Sequence, residues 1–159
     1  MSGDKMKAAY KEMAYDYDRM AEDLGYPDPE WVANCLMNIC KLPKDAWIHD
    51  FGCGSGLVGH FMKPHGYRNM DGSDASPEML IEARKKGVYG DCRELFLTEQ
   101  PMPKEWIGKY DAAVSAGLLT YDHCGPKAFD EKLAALRPGG LGWIVFTTRE
   151  QYMSAVGFQ

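Results

Sequence analysis

A glycine-rich segment and two acidic residues are the residues in this sequence best suited to chemistry. The segment runs Asp50-Phe51-Gly52-Cys53-Gly54-Ser55-Gly56, and Asp74 follows 22 residues after Gly52. Glycines allow a backbone to turn sharply and to approach a ligand closely. The free N–H groups at the start of a following helix attract negative charge. A carboxylate at the second position can accept hydrogen bonds from both hydroxyls of a ribose. The pattern predicts a site for a nucleoside-containing cofactor.

The glycine spacing alone does not identify that cofactor. Gly54, Gly56 and Gly59 also satisfy the GxGxxG spacing of dinucleotide-binding proteins, in which an acid about 20 residues further on binds the ribose. Asp74 could instead start the next helix, with Ser76 as the cap. A pyrophosphate and a carboxylate-bearing cofactor are both compatible with these residues.

The elements that must position these residues alternate between strands and helices. Two helices come first, one from about Tyr10 to Leu24 and one from Asp28, as N-cap, to about Lys41. Strands are then predicted at 46–51, 67–73, 93–97, 110–116 and 141–147, with helices near 57–62, 76–86 and 126–136. This order predicts an α/β fold with a mostly parallel sheet, helices on both faces and a ligand at the carboxyl ends of the strands.

Four segments, in order and spacing, resemble the motif series of class I S-adenosylmethionine-dependent methyltransferases. They are the glycine segment at 50–56, then 74–80, 110–114 and 137–140, and the resemblance covers about Tyr10 to Arg149. More narrowly, the segments 87–89, 115–120 and 138–141 are similar to the Williams–Beuren syndrome region methyltransferase-like proteins. The resemblance implies a Rossmann-like single domain at 1–159, with an N-terminal helical cap at 1–45, a core at 46–149 and a truncated tail at 150–159.

The resemblance also implies roles for individual residues against S-adenosylmethionine, whose product is S-adenosylhomocysteine. The implied contacts are Gly52, Gly54, Ala116 and Gly117 for the methionine portion, Asp50 for its amino group, Asp74 for the ribose, and Ala75 and Met79 for the adenine. Tyr17 could close over the cofactor carboxylate, or it could simply pack on the apolar face of the first helix.

The residue that meets the adenine edge is open between two alternatives. Many relatives carry an acid after the third strand, and Asp91 resembles it, but it leaves two or three residues for that strand, which usually needs about five. A later register places Phe96 and Leu97 at the adenine, with a backbone N–H as the polar contact. Ser73 is also unusually polar for its position, which predicts a short or poorly buried second strand.

The acceptor side offers one candidate for proton transfer. His123, beyond the fourth strand, could act as a general base, which methyl transfer needs when the acceptor carries a proton. His123 could instead start a helix or line a substrate pocket without transferring a proton, and Tyr121 is similarly placed.

The composition of the chain limits the binding partners and the cellular compartment that we expect for it. A net charge of −5 argues against a nucleic-acid-binding surface. No apolar run reaches the length of a membrane span, and the N-terminus lacks a secretory signal. The five cysteines show no metal-ligand spacing, so we expect neither a metal nor a disulfide, and a cytoplasmic location.

The residues after the predicted fifth strand, 148–159, leave no room for the two further strands of a complete class I fold. Strand five would then form an open edge, which predicts a fragment or short isoform that dimerises there or covers the edge with its tail. Three functions remain: a methyltransferase acting on a small molecule or protein side chain, a cofactor-binding module without catalysis, and an NAD-type oxidoreductase domain.

Overall fold

The described residues form one parallel sheet flanked by helices. The computed structural model describes residues 12–119 and 127–148. The strands are β1 Ile48–Phe51, β2 Met70–Asp74, β3 Cys92–Glu94, β4 Ala112–Leu119 and β5 Trp143–Thr148, in the order β3-β2-β1-β4-β5. The helices are α1 Tyr17–Asp23, α2 Asp28–Asn34, α3 Leu57–Met62, α4 Pro77–Lys86 and α5 Ala128–Ala135. Shorter helical turns span Ala14–Asp16, Cys35–Ile39, Lys63–His65 and Lys104–Trp106.

All neighbouring strands pair in parallel, which confirms the α/β Rossmann-like fold. Within the described ranges, no helix is long and apolar enough to cross a membrane.

The core has two halves, one on each face of the sheet. On one face, side chains of α2 and α3 pack with residues of β1, β2 and β4, among them Val32, Leu36, Val58, Met62, Ile48, Met70, Ala112 and Val114. On the other face, the core includes Phe51, Leu95, Trp106, Tyr110, Ala113, Leu119, Ala128 and Ala135. Successive strand residues point to opposite faces, so Asp50 shares the first face and His49 the second.

The second strand is well buried, so the prediction that it is poorly buried was wrong. Its first four residues are buried, and Ser73 is polar because it has a polar partner. The Ser73 hydroxyl lies 3.0 Å from Nε2 of His49 on the neighbouring strand. A hydrogen bond between two buried side chains removes the penalty that an unpaired hydroxyl would carry.

Helix α4 begins as its sequence predicts. The Ser76 hydroxyl accepts a hydrogen bond of 3.3 Å from the N–H of Met79, and Pro77 occupies the first turn.

The first two helices differ from their prediction. A 3₁₀ turn interrupts the first at Ala14–Asp16, and α2 ends at Asn34 and continues as a π-helical turn. Asp28 lies inside α2, buried, rather than capping it.

All five strands differ from their predicted bounds, and the third and fourth differ most at their carboxyl ends. The third is three residues long and ends at Glu94, where its pairing with β2 ends at Asp74. The fourth begins at Ala112 and extends to Leu119, and its pairing with β5 shifts between Ser115 and Leu119.

Strand β5 forms one edge of the described sheet. All six of its residues are half-buried. The tail at 149–159 lies outside the described residues, so dimerisation at this edge, coverage by the tail and the absence of two further strands all stay predictions.

Candidate functional site

A narrow cleft lies above the carboxyl end of β1. Its volume is about 30 Å³, and its walls come from α1, α2, β1, β4 and the glycine segment. The lining residues are Tyr17, Tyr26, Pro29, Asp50, Gly52, Cys53, Gly54, Ser55, Leu57, Val58 and Ala116. The structure therefore brings together five residues predicted from the sequence: Tyr17, Asp50, Gly52, Gly54 and Ala116.

The glycine segment turns tightly between β1 and α3. Gly52, Gly54 and Gly56 adopt φ values of +69°, +54° and +92°, which side-chain-bearing residues rarely adopt. The N–H groups of Gly52 and Cys53 donate to the carbonyl of Ser73, which fastens the turn to β2. A Cβ at Gly54 would meet nothing within 4 Å, so the loop presents bare backbone to open space at this point.

Asp74, at the end of β2, fastens the same loop from the other side. Its Oδ2 accepts from the N–H of Gly54 at 2.8 Å, and its Oδ1 accepts from the N–H of Ser76 at 2.8 Å. Burial raises the pKa of Asp74, and the backbone N–H donors oppose that rise. Each oxygen keeps acceptor capacity, so Asp74 both starts α4 and can still accept hydrogen bonds from a ligand.

Asp50 is the most unusual acid in the cleft. It is 0% exposed, its Oδ2 accepts a 2.6 Å hydrogen bond from the hydroxyl of Tyr89, and its Oδ1 has no partner among the described residues. Burial raises its pKa to about 7; the Tyr89 hydrogen bond lowers it, Asp74 raises it and Lys132 lowers it. Buried acceptors are normally satisfied, so an unpartnered carboxylate oxygen in a ligand cleft fits a cationic donor.

Helix α1 is anchored over the glycine segment by Asp18. The Ser55 hydroxyl donates to Asp18 Oδ1 at 2.5 Å, and Lys86 Nζ forms an ion pair with Asp18 Oδ2 at 2.5 Å. Lys86 also donates to the backbone carbonyl of Ser55 at 2.7 Å. This function of Asp18 is not evident from local sequence patterns, because its partners are 37 and 68 residues away along the chain.

Tyr26 covers the part of the cleft that β4 contributes. A Cβ at Gly117 would collide with the hydroxyl of Tyr26, and Gly117 has a φ of +68° with its N–H donating to Thr147 Oγ1 at 2.8 Å. Tyr17 and Tyr26 also line a second cavity of about 300 Å³, whose other walls are Met13, Met20, Ala21, Leu24, Gly25 and Pro27. Tyr17 and Tyr26 are therefore common to the small cleft and to the larger apolar cavity.

At the adenine side, the two sequence alternatives lie at opposite ends of β3. Asp91 precedes the strand, where its N–H donates to Asp71 Oδ1 at 2.9 Å and its carboxylate pairs with Arg93 at 2.8 Å. Phe96 follows the strand, at the same end of the sheet as Asp74, and its N–H already donates to Gln100 Oε1 at 3.1 Å. Asp91 therefore lies at the amino end of β3 and Phe96 beyond its carboxyl end.

The remaining predicted residues differ in exposure. Ala75 and Phe96 are half-buried, whereas Met79 and Leu97 are buried in the core. His123 and Tyr121 fall in the segment 120–126 and lie outside the described residues. Over the described part of the chain, no group of three or more His, Cys, Asp or Glu side chains could hold a metal ion.

Comparison with known proteins identifies the family. Residues 48–140 match the family model described as "Methyltransferase domain". The chain belongs to this methyltransferase domain family. It is also 33% identical over 141 residues to human Methyltransferase-like protein 27, covering 88% of this chain and 56% of that protein. The chain spans about half the length of the curated relatives it matches.

Solved structures agree with this family assignment. An S-adenosylmethionine-dependent methyltransferase from Mesorhizobium loti is 29% identical, with a TM-score of 0.52 over 68% of this chain and 50% of the other. The complex of DhpI with SAH has the same fold at 23% identity, with a TM-score of 0.63 over 91% of this chain and 69% of the other.

Proposed function

We propose that this chain binds S-adenosylmethionine at the carboxyl ends of β1, β2 and β4 and transfers its methyl group to an acceptor. The observation that carries the proposal is the unpartnered Oδ1 of Asp50 in the cleft. The α-amino group of this cofactor is a cationic donor and supplies what that oxygen lacks. Family membership supports the same proposal independently.

The other contacts follow from the free acceptor capacity and the open surface in the cleft. Asp74 would accept from the ribose hydroxyls, since a carboxylate has about four acceptor positions and backbone N–H groups of Gly54, Ala75 and Ser76 use three. Gly52 and Gly54 would pass beside the methionine portion, where added side chains would intrude. Ala75 and Phe96 are half-buried and would contact the adenine with their exposed surface.

We propose that Tyr17 and Tyr26, which lie over the cleft, move when the ligand enters. A cavity of about 30 Å³ holds roughly one water molecule, far less than the methionine portion of the cofactor. Tyr17 and Tyr26 are the side chains that both cavities share. Their displacement would join the cleft to the apolar cavity, which is then the nearest space for an acceptor.

When bound, S-adenosylmethionine supplies a methyl group already activated by its sulfonium, so alignment is the protein's main contribution. Cleft walls that exclude water and hold the ligand supply that alignment. For an acceptor that carries a proton, we propose His123 as the base. The acceptor class proposed is a small molecule or a protein side chain.

Isothermal titration calorimetry with S-adenosylmethionine, S-adenosylhomocysteine and NAD tests the cofactor proposal. We expect both sulfur ligands to bind and Asp74→Asn to weaken them roughly ten-fold, the effect of losing charged hydrogen bonds. Asp45→Asn is the matched control, because Asp45 is an exposed acid before β1 at the other end of the sheet. Binding of NAD without either sulfur ligand would refute the proposal.

Methyl transfer is tested separately with labelled cofactor and a panel of small-molecule and protein acceptors. Labelled product that disappears in Asp74→Asn supports catalysis. Tight cofactor binding without transfer to any acceptor would favour the non-catalytic module instead.

A further inference from the structure

The ring of Tyr89 packs against three glycines from two separate parts of the fold. A Cβ at Gly56 would lie 3.2 Å from its Cε2, a Cβ at Gly59 3.1 Å from its Cζ, and a Cβ at Gly72 3.2 Å from its Cδ2. These distances are tighter than ordinary van der Waals contact, so larger residues would displace the ring. The Tyr89 ring therefore packs directly on the backbone of the glycine segment, α3 and β2, where the glycines have no side chain.

The hydroxyl of this fixed ring donates to Asp50. Tyr89 Oη lies 2.6 Å from Asp50 Oδ2. Burial raises the pKa of Tyr89 well above its usual value, so the hydroxyl stays protonated and remains a donor. Because Oδ2 is occupied from this side, the oxygen without a partner is Oδ1.

We propose that Tyr89 is a positioning residue for cofactor recognition: its hydroxyl orients the Asp50 carboxylate so that Oδ1 receives the α-amino group of S-adenosylmethionine. This inference rests on the proposed function. Tyr89 acts through Asp50 and does not itself line the described cleft.

The charges around Asp50 determine the sign of the expected pH effect. Burial favours the neutral carboxyl, the Tyr89 hydrogen bond favours the carboxylate, Asp74 favours the neutral form and Lys132 the carboxylate. The thiols of Cys53 and Cys92 also lie within electrostatic range. Removing the Tyr89 hydroxyl therefore raises the pKa of Asp50 and moves amine binding to higher pH.

The test is Tyr89→Phe, which keeps the ring packed against Gly56, Gly59 and Gly72 and removes the hydroxyl. Calorimetry at pH 6 to 9 measures S-adenosylhomocysteine, which has the amino group, and 5′-methylthioadenosine, which lacks it. We expect the Kd of S-adenosylhomocysteine at pH 7 to rise roughly ten-fold, the usual effect of a lost hydrogen bond to a charged group. Its pH midpoint should rise, and 5′-methylthioadenosine should bind as before.

Tyr110→Phe is the matched control, because Tyr110 also donates to a buried acid, Asp71, at 2.8 Å, but away from the cleft. It should leave both ligands unaffected. An equal loss of both ligands in Tyr89→Phe, or unchanged binding of S-adenosylhomocysteine, would overturn the inference.

The wild-type chain provides a second measurement if Tyr89→Phe does not fold. Binding of S-adenosylhomocysteine should then strengthen as pH rises through about 7, while binding of 5′-methylthioadenosine stays flat. Identical pH profiles for the two ligands would overturn the inference. A wild-type chain that binds neither ligand would overturn the proposed function itself.

Discussion

Replacing Asp50 by asparagine should change how the stability of this protein depends on pH. The Asp50 carboxyl has a pKa of about 7 in the fold, against 3.8 without the fold. Between these values the folded chain keeps a proton that the unfolded chain has released, so the free energy of unfolding falls as pH rises. Three pKa units correspond to about 4 kcal/mol in total.

About 3 kcal/mol of that loss falls between pH 5 and 8, where the wild-type chain ionises a buried group with an unpartnered oxygen. Asparagine has nearly the same shape and does not ionise, and its amide oxygen can still accept from Tyr89. The difference in unfolding free energy between Asp50→Asn and the wild type should therefore shift in favour of the variant across this interval.

Urea unfolding followed by circular dichroism at pH 5, 6, 7 and 8 measures this difference. Other shifted groups, among them Asp74 and His49, are present in both proteins and largely cancel. A difference that stays constant from pH 5 to 8, within the error of linear extrapolation, would refute the reasoning. Saturating S-adenosylhomocysteine should flatten the wild-type profile, because its amino group supplies the missing donor.

Further expected outcomes concern the buried histidine, a crowded glycine and the anchor of α1. Burial lowers the pKa of His49 to about 3, so the free energy of unfolding of the wild-type chain falls as pH falls below 6.5. His49→Gln removes this titration. In urea unfolding, the decrease in the free energy of unfolding between pH 6.5 and 4 should therefore be smaller in the variant by on the order of 3 kcal/mol. Gly59→Ala places a Cβ 2.7 Å from Val88 Cγ2. The overpacking should lower the free energy of unfolding by about 1–3 kcal/mol. Calorimetry should show this as a Tm several degrees lower. Asp18→Asn removes the ion pair with Lys86, and stopped-flow should show cofactor dissociation roughly five-fold faster.

Matched variants separate these effects from general damage. Gly140→Ala adds a Cβ where nothing lies within 4 Å and should leave the Tm unchanged. Asp16→Asn removes an exposed i,i+3 pair with Arg19 and should leave dissociation unchanged. Equal effects in a variant and its control, or an unchanged acid limb in His49→Gln, would contradict the corresponding prediction.

The order of strands and helices could be predicted from the sequence because local patterns encode it. The glycine segment, the Ser76-Pro77 helix start and the apolar strands each signal within a few residues. The length of β3 could not be predicted this way, because it depends on how many of its residues pair with β2. The burial of β2 also depended on a partner, His49, that belongs to a different strand.

The residues of the candidate site likewise fall into those that could be predicted from the sequence and those that could not. Asp50 and Asp74 are adjacent to strand ends, so position along the chain suffices to predict them. Tyr89 and Asp18 act on residues 39 and 37 positions away, through contacts that only the packed sheet creates. Their signals were present, as a tyrosine after α4 and an acid beside Tyr17, but the sequence did not specify the partners.

The close packing of Tyr89 limits how these positions can change during evolution. A side chain gained at Gly56, Gly59 or Gly72 would meet the same ring, so each such change requires the ring to move or position 89 to become smaller. A smaller residue at 89 would not be sufficient, because Val88 also crowds Gly59, Cys53 also crowds Gly72 and Gly56 has a positive φ. It would also remove the hydroxyl from Asp50. Loss of one of these glycines therefore requires more than one compensating substitution.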